Sequence, residues 1–325
     1  MVSHIEESIR SLAKADLHVH LNGLFNPHLV NDILYEEGII LPPNFNASTD
    51  CVILQRVDNL LEYLKPWNIL HLIPQKIYNF KRLVSSAFQY LSFENIRYVE
   101  LRSSILYLAN LFKRSVEDTL EIVIEILENC SRLYLVEFSL IITIQRSDNA
   151  LIDLKRILYA YDNIGRSKRI VALDLAGNED YPVPEGLADL FKKAKYEYGL
   201  KVTIHAGETG NIDSIYDAIN LYDADRIGHG CAAINNISLM ELLSNRQICV
   251  EVCPTSNYLT SAFSGTPPFI VFQNYEVPFV ICSDNPCIHQ KGLSDDYIRF
   301  IEDGGSYNQL QKMYNNQLKY SFKKL

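Results

Sequence analysis

IVALDLAGNEDYPVPEGLADLFKKAKYEYGLKVTIHAGE, residues 170–208, reads as one strand, one helix and a second strand. Its two ends, IVALDLAG (170–177) and KVTIHAGE (201–208), are short runs rich in apolar and β-branched residues. Between them, PEGLADLFKKAKYEYG repeats apolar residues three and four apart and keeps a polar face. A helix joining two strands implies a crossover, and a crossover implies that the strands run parallel.

The same alternation continues on both sides. ADLHVHL (15–21), IRYVELRSS (96–104), FSLIITIQR (138–146), DRIGHG (225–230), ICVEVCPTS (248–256) and VPFVICSDNP (277–286) bring the predicted strands to eight. Most are separated by helical patterns such as SVEDTLEIVIEILENCSRL, and eight units of this kind close most simply into a (β/α)8 barrel. The first unit is longer, with about seventy residues before the second strand. Within it, Leu60, Leu61, Leu64 and the sole tryptophan, Trp67, recur at helix-like spacing. They read either as core or as an apolar lid over the barrel mouth. No repeat, low-complexity tract or linker interrupts the chain, so residues 1–325 are expected to form one domain.

Composition narrows the function. Of 325 residues 48% are hydrophobic and 21% charged, which is globular composition. The net charge is −9, and no basic run could track a phosphate backbone, so a nucleic-acid polymer is not expected as partner. No apolar segment reaches membrane-spanning length, and the N-terminus lacks a signal-peptide pattern, so a cytoplasmic location away from membranes is expected. Seven scattered cysteines without a CxxC pair read as reduced residues, mostly of the core.

Function is carried by polar residues where the strands end. His18 and His20 stand two apart on one strand and so share a face. One such pair is weak support, because eight histidines placed at random would give roughly 0.2 of them. Yet His205 and Glu208 follow at the end of the fifth strand, His229 at the sixth, and Asp284 and Asn285 at the eighth, with His289 a few residues beyond. In a (β/α)8 enzyme those ends form the active-site rim. Three imidazoles and a carboxylate suit one Zn²⁺ with a position left for water. Glu208, three residues beyond His205, could reach the same mouth and transfer protons.

DLHVHLNG, LDLAGNE, HAGETG, RIGHG, EVCPTSN and SDNP, in this order, closely resemble the motif series of the adenosine deaminase family of the amidohydrolase superfamily. The likeness runs from about Lys14 to Phe322 and includes LSDDYIRF and NNQLKYSF. It implies that His18, His20, His205 and Asp284 hold one Zn²⁺ per chain. It also implies that Glu208 protonates purine N1, and that His229, helped by Asp284, takes the proton of the water that attacks C6. Gly177 would offer its N–H to purine N3. Read as an apolar lid, the first crossover would turn Leu61 and Leu64 toward the substrate, which His20 would also touch. Ser103, Ser104, Arg146, Thr255, Ser256 and Asn257 fall at structural or rim positions and receive no chemistry, and Cys253 reads as core.

Two departures bear on the substrate. Asn285 stands where many members of the family have a second aspartate; its amide can still donate to purine N7 without taking up a proton. Asn22 stands where nucleoside deaminases commonly have an aspartate for the ribose 5′-hydroxyl, which removes a charge that would repel a phosphate. The resemblance therefore implies hydrolytic deamination of adenosine or 2′-deoxyadenosine. The nearest alternative is a 5′-monophosphate (AMP, dAMP or N6-methyl-AMP), followed by adenine and by a non-catalytic nucleoside-binding relative. A two-metal amidohydrolase would want a bridging lysine near the end of the fourth strand, which reads ALDLAG. Oligomeric state is not legible.

Overall fold

In the computed structural model, which describes residues 2–323, the quoted unit folds as its pattern predicts. Its helix spans Leu187–Tyr198 and buries Leu187, Phe191 and Ala194, four and three residues apart. Removing a side chain such as Phe191 from water contributes roughly 1.5–3 kcal/mol. Gly199, at φ +68°, stops the helix in a left-handed turn, and the N–H of Leu200 donates to the Ala194 carbonyl at 3.2 Å.

Eight strands form a single sheet in sequential order with all neighbours parallel. They are β1 (Lys14–His20), β2 (Ile96–Ser103), β3 (Glu137–Gln145), β4 (Ile170–Ala176), β5 (Lys201–Ala206), β6 (Arg226–His229), β7 (Cys249–Val252) and β8 (Phe279–Ile281). Just beyond β8, Asp284 bridges Val19 of β1. His20 N–H donates to the Asp284 carbonyl at 2.9 Å, and Asp284 N–H to that of His18 at 2.8 Å. The expected (β/α)8 barrel is thus closed by a residue of the expected site.

The seventh and eighth strands end earlier than their apolar runs suggest. Pro254 and Pro286 each open a short helix, Pro254–Leu259 and Pro286–His289. Proline lacks an N–H and has a fixed φ, so it suits a first helical turn and not a ladder. Thr255, Ser256 and Asn257 therefore stand on a helix at the barrel mouth.

The long first crossover carries helices Pro27–Glu36, Ala47–Asp50, Leu60–Tyr63, Trp67–Leu70 and Ile77–Phe93. Its middle is stitched to the chain after β8 and β7: Ile53 N–H donates to the Ile288 carbonyl at 2.8 Å, and Val57 N–H to that of Leu259 at 2.9 Å. Leu60 and Tyr63 pack on Leu259, with Leu64 and Trp67 against them.

The interior of the barrel is ionic. Arg226 donates to Glu100 Oε2 and Glu251 Oε1, both at 2.6 Å, and Arg102 pairs with Glu251 and, at 3.1 Å, with Asp174. All five side chains are buried. The C-terminal helix Tyr307–Tyr320 closes the opposite end. Arg226 donates to the Tyr320 carbonyl at 2.8 Å and stacks 3.5 Å from the centre of the Phe322 ring. All seven cysteines are free and six are buried, Cys253 among them. Among the described residues no helix is long and apolar enough to cross a membrane.

Breaking a buried pair leaves an uncompensated charge, whereas an exposed pair contributes little. Arg226→Ala is expected to lower unfolding free energy by about 3–5 kcal/mol in urea titrations. Lys193→Ala, at the exposed pair with Glu197, should change it by less than about 1 kcal/mol.

Candidate active site

His18 and His20 both point into the barrel, as their spacing requires, and β5, β6 and the turn after β8 bring three more groups to them. Ring centroids of His18 lie 4.7 Å from His205, 4.9 Å from His229 and 5.6 Å from His20. His20 Nε2 is 3.2 Å from His205 Nε2 and 3.4 Å from Asp284 Oδ1, and His18 Nε2 is 3.6 Å from the same oxygen. His229 and Asp284 hold φ near +60°, a conformation that L-residues adopt seldom and that clusters at functional sites.

The ionic interior sets which imidazole nitrogens are free. His18 Nδ1 lies 2.8 Å from Glu251 Oε2, and His205 Nδ1 lies 2.9 Å from Asp174 Oδ1. An ionised carboxylate only accepts, so both Nδ1 atoms carry a proton, and in the neutral imidazole that a metal ligand must be, each Nε2 presents its lone pair. Those nitrogens face each other, His20 and the Asp284 carboxylate across one small space, and the buried His18 Nε2 makes no hydrogen bond among the described residues. Further, the interior chain holds three carboxylates against two guanidinium groups, and buried Asp284 adds another. Such a constellation is repulsive alone and is matched by a divalent cation. His18, His20 and Asp284 satisfy the spacing of a metal site, as do His18, His205 and His229. The donor set, imidazole nitrogen with one carboxylate, fits Zn²⁺.

Two further groups are poised for proton transfer. His229 Nδ1 lies 2.8 Å from Asn257 Oδ1, which fixes its proton there and leaves Nε2 as a base 3.6 Å from Glu208 Oε2. Burial above all pushes the His229 imidazole down to about 3, so it stands neutral. Burial, then the charges of Asp284 and Glu179, holds the Glu208 carboxyl well above its ordinary range, so it keeps its proton. Glu179 fastens the turn that carries it, accepting from Gly207 N and Glu208 N at 2.6 Å and from Thr209 N at 3.2 Å.

His20, His205, Glu208, His229 and Asp284 line a cavity of about 240 Å³ together with Asn22, Gly177 and Asn285. Gly177, at φ +100°, occupies a conformation open to glycine and shows bare backbone to the cavity. The crossover roofs it with Leu60, Tyr63, Leu64 and Trp67, so the lid is real. Leu61 is a correction: it is 63% exposed and absent from the lining, because Leu60 and Leu64, one helical turn apart, take the inward face.

Several working residues escaped the sequence reading. Ser256 donates to Asp284 Oδ2 at 2.6 Å, Arg146 donates to the His205 carbonyl at 2.9 Å, and Asn257 holds His229. Arg102, Asp174, Glu251 and Glu179 were not singled out at all. Their signal was present: Glu100 and Arg102, two apart in an apolar strand, share a face, and single charges interrupt β4, β6 and β7.

A family model described as adenosine deaminase matches residues 13–324. Adenosine deaminase of Clostridium botulinum (strain 657 / Type Ba4) is 31% identical over 294 residues, covering 89% of this chain and 87% of its own. Among solved structures, that of an ADAL–IMP complex is 25% identical with a TM-score of 0.82, covering 98% of this chain and 94% of its own. An amidohydrolase from Burkholderia ambifaria with bound Zn shares the fold at 17% identity and a TM-score of 0.86, covering 98% of this chain and 87% of its own. The chain belongs to the adenosine deaminase family and is an aminohydrolase of that type.

Proposed function

We propose that the chain hydrolyses the 6-amino group of adenosine and 2′-deoxyadenosine to inosine or 2′-deoxyinosine plus ammonia, with one Zn²⁺ held by His18, His20, His205 and Asp284. The observation that carries this reading is the convergence of those donors with a protonated Glu208 and a neutral His229 in one lidded cavity. The ion, when bound, supplies activation of water at neutral pH.

The protein's own groups account for every proton. Glu208 gives its proton to ring N1, which leaves C6 electron-poor. His229, with Asp284 beside it, takes a proton from the water that adds to C6. C6 becomes tetrahedral and carries hydroxyl and amino groups. His229 then protonates the amino nitrogen, the C–N bond breaks and ammonia leaves, while the new hydroxyl returns its proton to Glu208 as C6=O forms. Gly177 N–H meets N3, the Asn285 amide meets N7, and Asn22 faces the ribose. The apolar lid keeps bulk water from the tetrahedral species.

The lining favours an uncharged sugar end. Among the described lining residues the only guanidinium is Arg102, already paired with Asp174 and Glu251, and no lysine is present. His71 is the remaining cation-forming group away from the donor cluster, and burial lowers its pKa, which keeps it neutral. A 5′-phosphate would meet no free cation there. The second reading, a nucleoside 5′-monophosphate, draws support from Asn22 in the lining and from the neighbour solved with IMP.

Loss of ultraviolet absorbance by the zinc-loaded protein separates the two. Adenosine and deoxyadenosine should turn over, and AMP, dAMP, N6-methyl-AMP and adenine should be slow; turnover of only the monophosphates would favour the second reading. Glu208→Gln should keep metal and lose about 10²–10⁴-fold in kcat, whereas His18→Ala should lose both. Protonated Glu208 is the competent form, so activity should fall as pH rises through its elevated pKa. Asp174→Asn frees the His205 ring to adopt the other tautomer and should weaken zinc about 10–100-fold in chelator competition.

A further inference from the structure

The lid meets the barrel through a polar contact that the proton transfers leave unused. Tyr63 of the lid helix, Asn285 and His289 are buried side by side. The Tyr63 oxygen lies 2.5 Å from His289 Nε2, and Asn285 Nδ2 donates to it at 3.0 Å. Leu60, Leu64, Trp67 and Leu259 surround the phenol with apolar surface, where a hydroxyl without partners would be costly.

Asn285 Nδ2 donates to the phenol oxygen, which leaves the phenol hydroxyl to donate to His289 Nε2 when that imidazole carries its proton on Nδ1. Burial raises the Tyr63 phenol well above its ordinary value and lowers the His289 imidazole to about 4, so one stays O–H and the other stays neutral. With the O–H given to Nε2, the phenol oxygen has only lone pairs left, and these take an N–H of the Asn285 amide. The other end of that amide, Oδ1, fills the space that a Cβ on Gly23 would occupy. The amide is thereby held by hydrogen bonding at its nitrogen end, its oxygen packs against Gly23 without a hydrogen-bond partner among the described residues, and its second N–H is left for the cavity that Asn285 lines.

We propose that Tyr63, anchored by His289, is a positioning residue for base recognition: closing the lid turns the Asn285 amide so that its remaining N–H meets the ring acceptor at N7. The inference rests on the reading of the site as a purine deaminase in which Asn285 faces N7. It makes the lid a sensor of the base as well as a cover, because the hydroxyl that seats the lid also orients the donor.

The test compares adenosine with 7-deazaadenosine, in which a carbon replaces N7, using the full-length zinc-loaded protein. Wild type should prefer adenosine in kcat/KM. Tyr63→Phe should lower kcat/KM for adenosine about 10-fold, mostly through KM, and leave the deaza compound nearly unchanged, so that the preference collapses. His289→Phe should do the same, and His289→Gln, which keeps an acceptor, should retain the preference. Equal losses on both substrates would reduce Tyr63 to lid packing and overturn the inference, as would an unchanged ratio or a wild type indifferent to N7. A wild type inert toward adenosine would overturn the reading of the site itself.

Discussion

Glu251 holds the molecule's site together. One oxygen accepts from Arg226 Nε at 2.6 Å and Thr203 Oγ1 at 3.0 Å, and the other accepts from Arg102 and from His18 Nδ1 at 2.8 Å. A carboxylate with this many donors stays ionised in the barrel interior; burial opposes the charge, and the two arginines more than reverse it. Because it stays ionised it can only accept, so the His18 proton is pinned to Nδ1 and the lone pair is aimed at the mouth. Asp174, held by Arg102 at 3.1 Å, does the same for His205. The barrel's interior charge and the site's donor geometry are therefore one construction.

The remainder follows from that constraint. A ring of inward lone pairs beside the Asp284 carboxylate demands a cation. Asp284 also closes the barrel through its backbone, so a substitution there that disturbs φ +60° would touch fold and chemistry together. Away from the donor cluster the described residues of the cavity wall carry no free cation, and the roof is largely apolar, with Leu60, Leu64 and Trp67. A neutral, flat, partly apolar substrate suits such a chamber.

The barrel was legible because short apolar runs alternate with amphipathic helical patterns along most of the chain from residue 14 onward. His18, His20, His205, His229 and Asp284 were legible because each ends a strand run. The interior ions left only a faint signal, because a Glu or Arg in an apolar run reads as a solvated strand residue until its partners on other strands are known. Leu61 was misplaced because neighbouring leucines in a one-turn helix differ by about 100° in direction, and sequence alone does not say which one faces in. The Tyr63 hydroxyl was invisible for the same reason: its partners lie more than 200 residues away.

Anomalous diffraction at the zinc edge from zinc-loaded crystals would test the central claim most directly. The account predicts one strong peak per chain within bonding distance of Nε2 of His18, His20 and His205 and of an Asp284 oxygen, with Glu251 and Asp174 still on the opposite ring nitrogens. No peak there, or an ion ligated without His18, would contradict it.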